Sequence, residues 1–396
     1  MKQKEIYVNR KHVVLRIIIF VVALVTGITL LSLYFTGILK YTKGYFKTDV
    51  NYESKTLIND DISFYTYFDG NNASYSKYAQ NLNSIYSSEF NYICKLTDSI
   101  NTYDGITNLA YINLNTDKDL QIEKPLYDIL KDAYLKTSEN KNYSLFSSSI
   151  YQTYEIVFYS SVNSNIEIEQ SYIERISEAT SIINDSNNFN LEFKDNNVIN
   201  LHVSDTFSTF INEQQLSSSY LDLNILKDAY IIEYLASKMK ENNYLNGYFI
   251  STNGYIYSLD EYNGSMNLLT LSNDNIEKYS TVDIKGNNSY IYFNYFDSTN
   301  NRIYKNKDQY MYTIVNIKEG SCLSNINSFF INYSSLSLVD KGYQLLNLTS
   351  FKTSEDINLY IKDNSLNNVT YCIKEDIYST DKLNISEEKF KLHIID

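Results

Sequence analysis

The sequence predicts an α+β domain of mixed architecture behind one N-terminal membrane-spanning helix. Three observations carry that prediction. An uncharged apolar run lies near the N-terminus, helix-period apolar spacing dominates the first half of the remainder, and strand-like runs dominate the second half.

Residues 17–39 form 23 uncharged positions rich in Ile, Val and Leu. As a helix they reach about 34 Å, against a hydrocarbon core of about 30 Å. Lys2, Lys4, Arg10, Lys11 and Arg16 precede the run, while Lys40, Lys43 and Lys47 follow it. That bias places residues 1–16 in the cytoplasm and the domain outside the cell membrane. A cleaved signal peptide competes with a retained signal anchor. The length of the run and the lack of a small-x-small cleavage site favour the anchor. No cysteine lies in or just after it, which excludes a lipoprotein. Residues 40–60 are polar and aperiodic, as expected of a tether, and 61–396 are expected to be the domain.

Within the domain, Tyr78, Leu82, Ile85, Tyr86, Ile93 and Leu96 recur at three- and four-residue steps, which predicts an amphipathic helix over 75–100. Pro125 suits a first helical position, and Leu126, Ile129, Leu130, Ala133 and Tyr134 continue a second helix. Ile168, Ile173, Ile176, Ala179 and Ile183 mark a third, and Leu226 through Met239 a fourth. Strand signals follow at 248–259, 290–296, 310–315, 328–333 and 369–373. Sequence periods of 20–50 residues are not visible, so a solenoid or propeller is not expected.

Composition narrows the function classes. The chain has 396 residues, with 43% hydrophobic and 20% charged side chains, ordinary for a folded domain. Net charge is −13, and residues 1–47 hold eight Lys and Arg against one Glu, so the remainder sums to −20. Such a domain repels phosphodiester backbones, and no nucleic-acid partner is expected. Forty Tyr with no Trp, and 49 Asn, suggest a biased coding composition, so tyrosine-rich patches are discounted. Cys94, Cys322 and Cys372 lack paired spacing, which points to buried thiols rather than zinc ligands or a disulfide framework. His12, His202 and His393 are isolated in sequence.

Four segments occur in a telling order. Thr102-Tyr103-Asp104-Gly105-Ile106-Thr107-Asn108-Leu109-Ala110-Tyr111-Ile112-Asn113 follows a long helix. Tyr220-Leu221-Asp222-Leu223-Asn224-Ile225-Leu226-Lys227-Asp228-Ala229-Tyr230 opens another. Phe249-Ile250-Ser251-Thr252-Asn253-Gly254-Tyr255-Ile256 follows that helix as a strand turn, and Ser334 to Leu346 carries Asp340 and Gln344. Together they resemble the ApbE-like FAD:protein FMN transferases over roughly residues 60–396. The second segment is similar to the family's Asp-Leu-Gly-Gly-Ile-Ala-Lys-Gly-Tyr helix start, and the fourth to its Ala-Asp-Ala-Leu-Ala-Thr-Ala helix. Departures are specific: Asn224 and Ile225 stand at the glycines, Asp228 at the lysine, and Gln344 at the Thr ligand. Phe146-Ser147-Ser148-Ser149 corresponds to a Phe-Asp-x-Thr stretch without its carboxylate. Thr313 to Gly320 keeps only the hydrophobic pair and glycine of a His-Ile-x-Asp-Pro-x-Thr-Gly turn.

The resemblance implies an ApbE/T-fold-like domain, FAD and Mg²⁺ as cofactors, and a flavoprotein acceptor or membrane redox complex subunit as partner. The family's reaction moves FMN from FAD onto an acceptor Thr or Ser hydroxyl, releasing AMP. Such phosphoryl transfer needs a cation between phosphate oxygens and close backbone approach. It implies catalytic roles for Asp222 and Asp340, Mg²⁺ ligation by Asp340 and Gln344, and cofactor contacts from Tyr103, Asn253 and Gly254. Each has a plainer reading: Asp222 as an N-cap, Asp340 as a solvated helix carboxylate, Tyr103 as one of many tyrosines, and Asn253-Gly254 as a tight turn. Ile225 and Asp228 oppose a pyrophosphate by bulk and by charge. The expectation is therefore a homologue with reduced or lost transfer, or a non-catalytic binding or assembly subunit.

Overall fold

A computed structural model describes residues 13–35, 41–57, 61–140, 143–159, 168–272, 275–294, 304–306, 309–324, 326–333, 335–386 and 388–395. Helix α1 covers Val13–Phe35, followed by strands β1 (Tyr41–Lys47) and β2 (Ile62–Asn71) and helix α2 (Asn72–Leu96). A mainly helical stretch comes next. It holds α3 (Leu109–Asn113), β3 (Leu120–Gln121), α4 (Lys124–Asn140), α5 (Ser148–Tyr159), α6 (Gln170–Ile183), β4 (Phe189–Lys194), β5 (Val198–Val203), α7 (Asp205–Glu213) and α8 (Lys227–Glu241). Strands then follow: β6 (Gly247–Ser251), β7 (Tyr255–Ser258), β8 (Asn263–Ser272), β9 (Asn275–Lys285), β10 (Asn288–Asn294), β11 (Tyr304–Asn306), β12 (Gln309–Asn316), β13 (Ser321–Ser324) and β14 (Ser328–Ile331). The chain closes with α9 (Leu338–Leu348), α10 (Ser354–Asp363), β15 (Val369–Ile373), β16 (Asp376–Ser379) and β17 (Lys391–Ile394).

Nine strands form one sheet in the order β1-β2-β6-β7-β10-β14-β15-β16-β17. Every pairing in it is antiparallel except β16 with β17. The order skips because whole layers are inserted between neighbours. The segment α2 to α8 separates β2 from β6, and the β8–β9 hairpin separates β7 from β10. Alternation along β2 and β6 turns Phe64 and Phe249 inward, where their rings stack at 4.3 Å against Tyr86 of α2. Helices α2, α8 and α9 cover that face of the sheet and share its core. Part of the opposite face is closed by β8 and β9: Leu268, Tyr279 and Ile284 pack with Ile256, Tyr290, Phe330 and Ile377.

The predicted helices correspond to α2, α4, α6 and α8, and the predicted strands to β6 with β7, β10, β12, β14 and β15. Helix α1 contains a 20-residue window, Leu15–Tyr34, with a mean hydropathy of 2.6. It is long and apolar enough to span a membrane, and residues 36–39 of the predicted span lie outside the described residues. The expected tether differs. Residues 41–47 are strand β1, paired with β2 from Tyr41↔Asn71 to Lys47↔Tyr65. Tyr and Lys alternate along it in place of aliphatic residues, so its period-two pattern carries little hydrophobic signal.

Asparagine does more than inflate the polar count. Among the described residues Asn196, Asn197, Asn224, Asn243, Asn287 and Asn368 all adopt positive φ. In a chain with only 11 glycines, asparagine supplies the left-handed backbone that turns require.

Candidate functional site

The four segments converge on α8 and the residues leading into it. Asn113 and Leu221 exchange hydrogen bonds: the Asn113 amide donates to the Leu221 carbonyl at 3.0 Å, and the Leu221 N–H donates back at 2.8 Å. Asp222 follows directly. Its Oδ2 accepts from Ser99 Oγ at 2.6 Å, and its Oδ1 accepts the Asn224 N–H at 2.7 Å. This carboxylate orders the turn ahead of α8 and does not cap α8 itself. Asn224 holds φ +48°, a left-handed conformation, at a position where the motif carries glycine. Its side-chain amide donates to the Ser144 carbonyl and Ser147 Oγ, drawing in the Phe146–Ser149 stretch. Ile225 beside it is buried.

In the first turn of α8, Asp228 is 4% exposed and accepts a 2.6 Å hydrogen bond from the Asn253 side-chain amide. Gly254 is at φ +83°, and a Cβ there would strike the Tyr292 backbone. Its N–H donates to the Ser251 carbonyl, and its carbonyl accepts from the Tyr292 N–H at 2.8 Å. Asn253-Gly254 is thus the tight turn joining β6 to β7, with the asparagine directed at α8.

Helix α9 begins with a capping box. Ser337 Oγ accepts the Asp340 N–H at 3.0 Å, and Asp340 Oδ2 accepts from the Ser337 backbone N–H and hydroxyl. Asp340 Oδ1 lies 3.1 Å from the Lys136 ammonium of α4, which also pairs with Asp132. Gln344 Oε1 accepts from the Tyr360 hydroxyl of α10 at 2.8 Å. Glu233 of α8, which sequence reasoning missed, takes the first N–H groups of α9, accepting from Leu338 and Val339. Burial pushes its carboxyl above the usual range, opposed by those two bonds and by Lys136. Lys341 was missed as well. It is fully buried, its Nζ donates to the carbonyl and hydroxyl of Ser289, and burial pulls its pKa down to about 8. Where Gly342 stands, a Cβ would press on Leu226 and Tyr255, so α9 approaches α8 and β7 closely.

Tyr103 stands apart from this hub. Its hydroxyl donates to Asp98 Oδ2 at 2.6 Å, and burial together with that carboxylate raises its pKa to about 12. Burial alone would raise the Asp98 carboxyl, but hydrogen bonds from Tyr103, Asn101 and Ile100 outweigh it and hold the carboxyl below its usual range. The pair closes the Asp98–Tyr103 loop, and the Ile106 N–H donates to the Tyr103 carbonyl at 3.1 Å across the next turn, in which Gly105 is at φ +75°. A cavity of about 340 Å³ lies between α4 and β4, lined by Tyr134, Thr137, Tyr143, Phe146, Phe189 and their neighbours. None of the six predicted site residues lines it.

This packing order can be set beside known proteins. The ApbE protein of Thermotoga maritima superposes with a TM-score of 0.56 at 11% identity, covering 88% of this chain and 98% of its own. The flavin transferase ApbE of Vibrio cholerae gives 0.55 at 8% identity, covering 84% and 94%. The Pseudomonas stutzeri flavinyl transferase ApbE gives 0.53 at 8%, covering 85% and 92%. The fold is that of the ApbE flavin transferases. No family model and no curated protein sequence matches the chain.

Within the ApbE fold, the donor set can be tested against the cofactors the resemblance implies. Asp340 offers one oxygen to a helix cap and the other to an ammonium, and the Gln344 carbonyl oxygen is engaged by a phenol. Among the described residues no group of three or more His, Cys, Asp or Glu could hold a metal ion. This arrangement suits the Lys136 cation and does not fit Mg²⁺, which takes several oxygen ligands in near-octahedral geometry. At the α8 start, the Asp228 carboxylate and the Ile225 side chain occupy the positions where the motif has a lysine and a glycine. Both disfavour a pyrophosphate.

Proposed function

We propose that the chain is a membrane-anchored ApbE-fold domain whose FMN transfer is reduced or lost, acting as a binding or assembly subunit beside extracytoplasmic flavoproteins. The observation that carries this reading is Asp228: a buried carboxylate hydrogen-bonded to Asn253 stands where the ApbE-like motif places a cation. The Lys136–Asp340 pair supports it, because it satisfies internally the carboxylate that would otherwise ligate a metal. In this reading Asp222, Asn253, Gly254 and Tyr103 are kept for structure: each orders a turn or joins two elements. The partner class follows from the resemblance, and the outward side of the membrane from the Lys and Arg bias around α1.

The test is titration of the purified full chain with FAD, with and without Mg²⁺, followed by a transfer assay on a Thr-containing flavoprotein acceptor. The expected result is no Mg²⁺-dependent saturable binding and no covalent flavin on the acceptor. Flavin on the acceptor, abolished by Asp340→Ala, would overturn the reading and restore Asp340 to the chemistry.

A further inference from the structure

The outer face of the main sheet is finished in two ways. Across β7, β10 and β14 it is sealed by the β8–β9 hairpin, with Ile256, Tyr290 and Phe330 beneath. The hairpin does not reach across β1, β2 and β6, where among the described residues Tyr262 packs on the face, against Tyr45 at 5.3 Å and Tyr248 at 4.8 Å. This part presents instead Tyr41, Lys43, Tyr45 and Lys47 from β1, Tyr65, Tyr67 and Asp69 from β2, and Tyr248 and Ile250 from β6, with Lys43 paired to Asp69 at 3.2 Å and the Tyr41 and Tyr67 hydroxyls donating to the same carboxylate. Neighbouring rings interlock, Tyr45 with Tyr67 at 5.2 Å and Tyr65 with Tyr248 at 5.0 Å, making one continuous aromatic surface. Tyr41 is 64% exposed and Ile250 37%.

Chain length limits where that face lies. Helix α1 ends at Phe35 and β1 begins at Tyr41, so five residues join them. Even fully extended, such a link spans only about 20 Å. We propose that this face of β1, β2 and β6 rests on the membrane surface, its tyrosines at headgroup depth and Lys47 on anionic lipid phosphates, with Lys43 neutralising Asp69. The amphipathic rings and long basic side chains suit an interface that is apolar on one side and wet on the other. The charge sign agrees as well. The domain beyond residue 47 sums to −20 and would be repelled by anionic lipid, whereas on this face Lys43 balances Asp69 and Lys47 adds a further positive charge. The inference rests on α1 lying in the bilayer.

Because the chain has no Trp, a single introduced Trp reports its own surroundings. Three variants of the full chain, Phe20→Trp in α1, Tyr45→Trp on the face and Tyr111→Trp on α3, are reconstituted into phosphatidylglycerol-containing vesicles with dibrominated acyl chains. Tyr111 sits beyond the far end of the 25-residue α2 and is 40% exposed. The expected result is strong quenching at position 20, about half as much at position 45, and none at position 111. Tyr41→Trp repeats the reading at a more exposed position. Quenching at 20 but not at 41 or 45 would overturn the proposal and leave the face to a protein partner. Absence of quenching at 20 would overturn the membrane reading of α1 and this proposal with it. Adding Lys47→Glu should lower quenching at 45 several-fold; unchanged quenching would overturn the role given to anionic lipid.

Discussion

Asn253 donates its side-chain amide to the Asp228 carboxylate at 2.6 Å, and both residues are buried. The bond joins the first turn of α8 to the β6–β7 turn, so a position that resembles a cofactor contact is spent on joining a helix to a sheet. Asn253→Ala should destabilise the domain by about 1–3 kcal/mol, the cost of removing one partner from a buried polar group. Asp228→Asn, which keeps a hydrogen-bonding group, should cost less. Denaturant midpoints with an unchanged slope would check both; an indifferent Asn253→Ala would remove the bond from the account.

Asn224 provides a graded test. Ala at φ +48° costs about 1–2 kcal/mol through the left-handed backbone and also loses the bonds to Ser144 and Ser147. Glycine relieves the backbone and loses only those bonds. The expected order of thermal stability is Asn, then Gly, then Ala; glycine matching or exceeding asparagine would show that the side-chain bonds contribute nothing.

Asp340→Ala should lower stability by about 0.5–2 kcal/mol through loss of the capping box. It also leaves Lys136 with one fewer carboxylate. Mg²⁺ at millimolar concentration should shift the melting temperature of neither wild type nor variant. A Mg²⁺-dependent rise in the wild type that vanishes in Asp340→Ala would assign the carboxylate to a metal.

Lys341 gives the domain a signature at alkaline pH. Its pKa is lowered to about 8 in the fold, mainly by burial, from the ordinary value of 10.5. Between these values the unfolded chain binds more protons than the folded one, so stability rises with pH through that window. Below about pH 8 the full penalty, on the order of 3 kcal/mol, opposes folding. Melting curves of wild type and Lys341→Met should converge or cross as pH climbs from 8 to 10; parallel curves would show that the lysine is not desolvated.

The three thiols should be inert in the folded domain. Cys94, Cys322 and Cys372 form no disulfide and are buried, and burial raises Cys94 to about 12 and Cys372 to about 11. A thiol reagent at pH 8 should label none until denaturant is added. Rapid labelling of Cys94 in the native state would contradict its burial against α8.

Much was legible from residues alone. The apolar run of α1 and the three- and four-residue spacing of α2, α4, α6 and α8 are local patterns that burial on one side imposes. The order of the four segments carried the fold, and the structure places them around a single helix. Helices α5, α7 and α10 and strand β1 escaped because their apolar faces are short or built from tyrosine, whose spacing says little in a chain with forty of them. The candidate residues could be named from sequence, but their partners could not. Asp222, Asp228, Asn253, Asp340 and Gln344 each show one polar group in sequence, which reads equally well as ligand or as cap. Only the tertiary structure decided that Asp228 meets Asn253, that Lys136 meets Asp340 and that Tyr360 meets Gln344, pairs separated by 25, 204 and 16 positions. Periodicity records which side of an element is buried, because burial acts on each residue in turn. It does not record which buried or half-buried polar groups satisfy one another, since that depends on elements packed from distant parts of the chain.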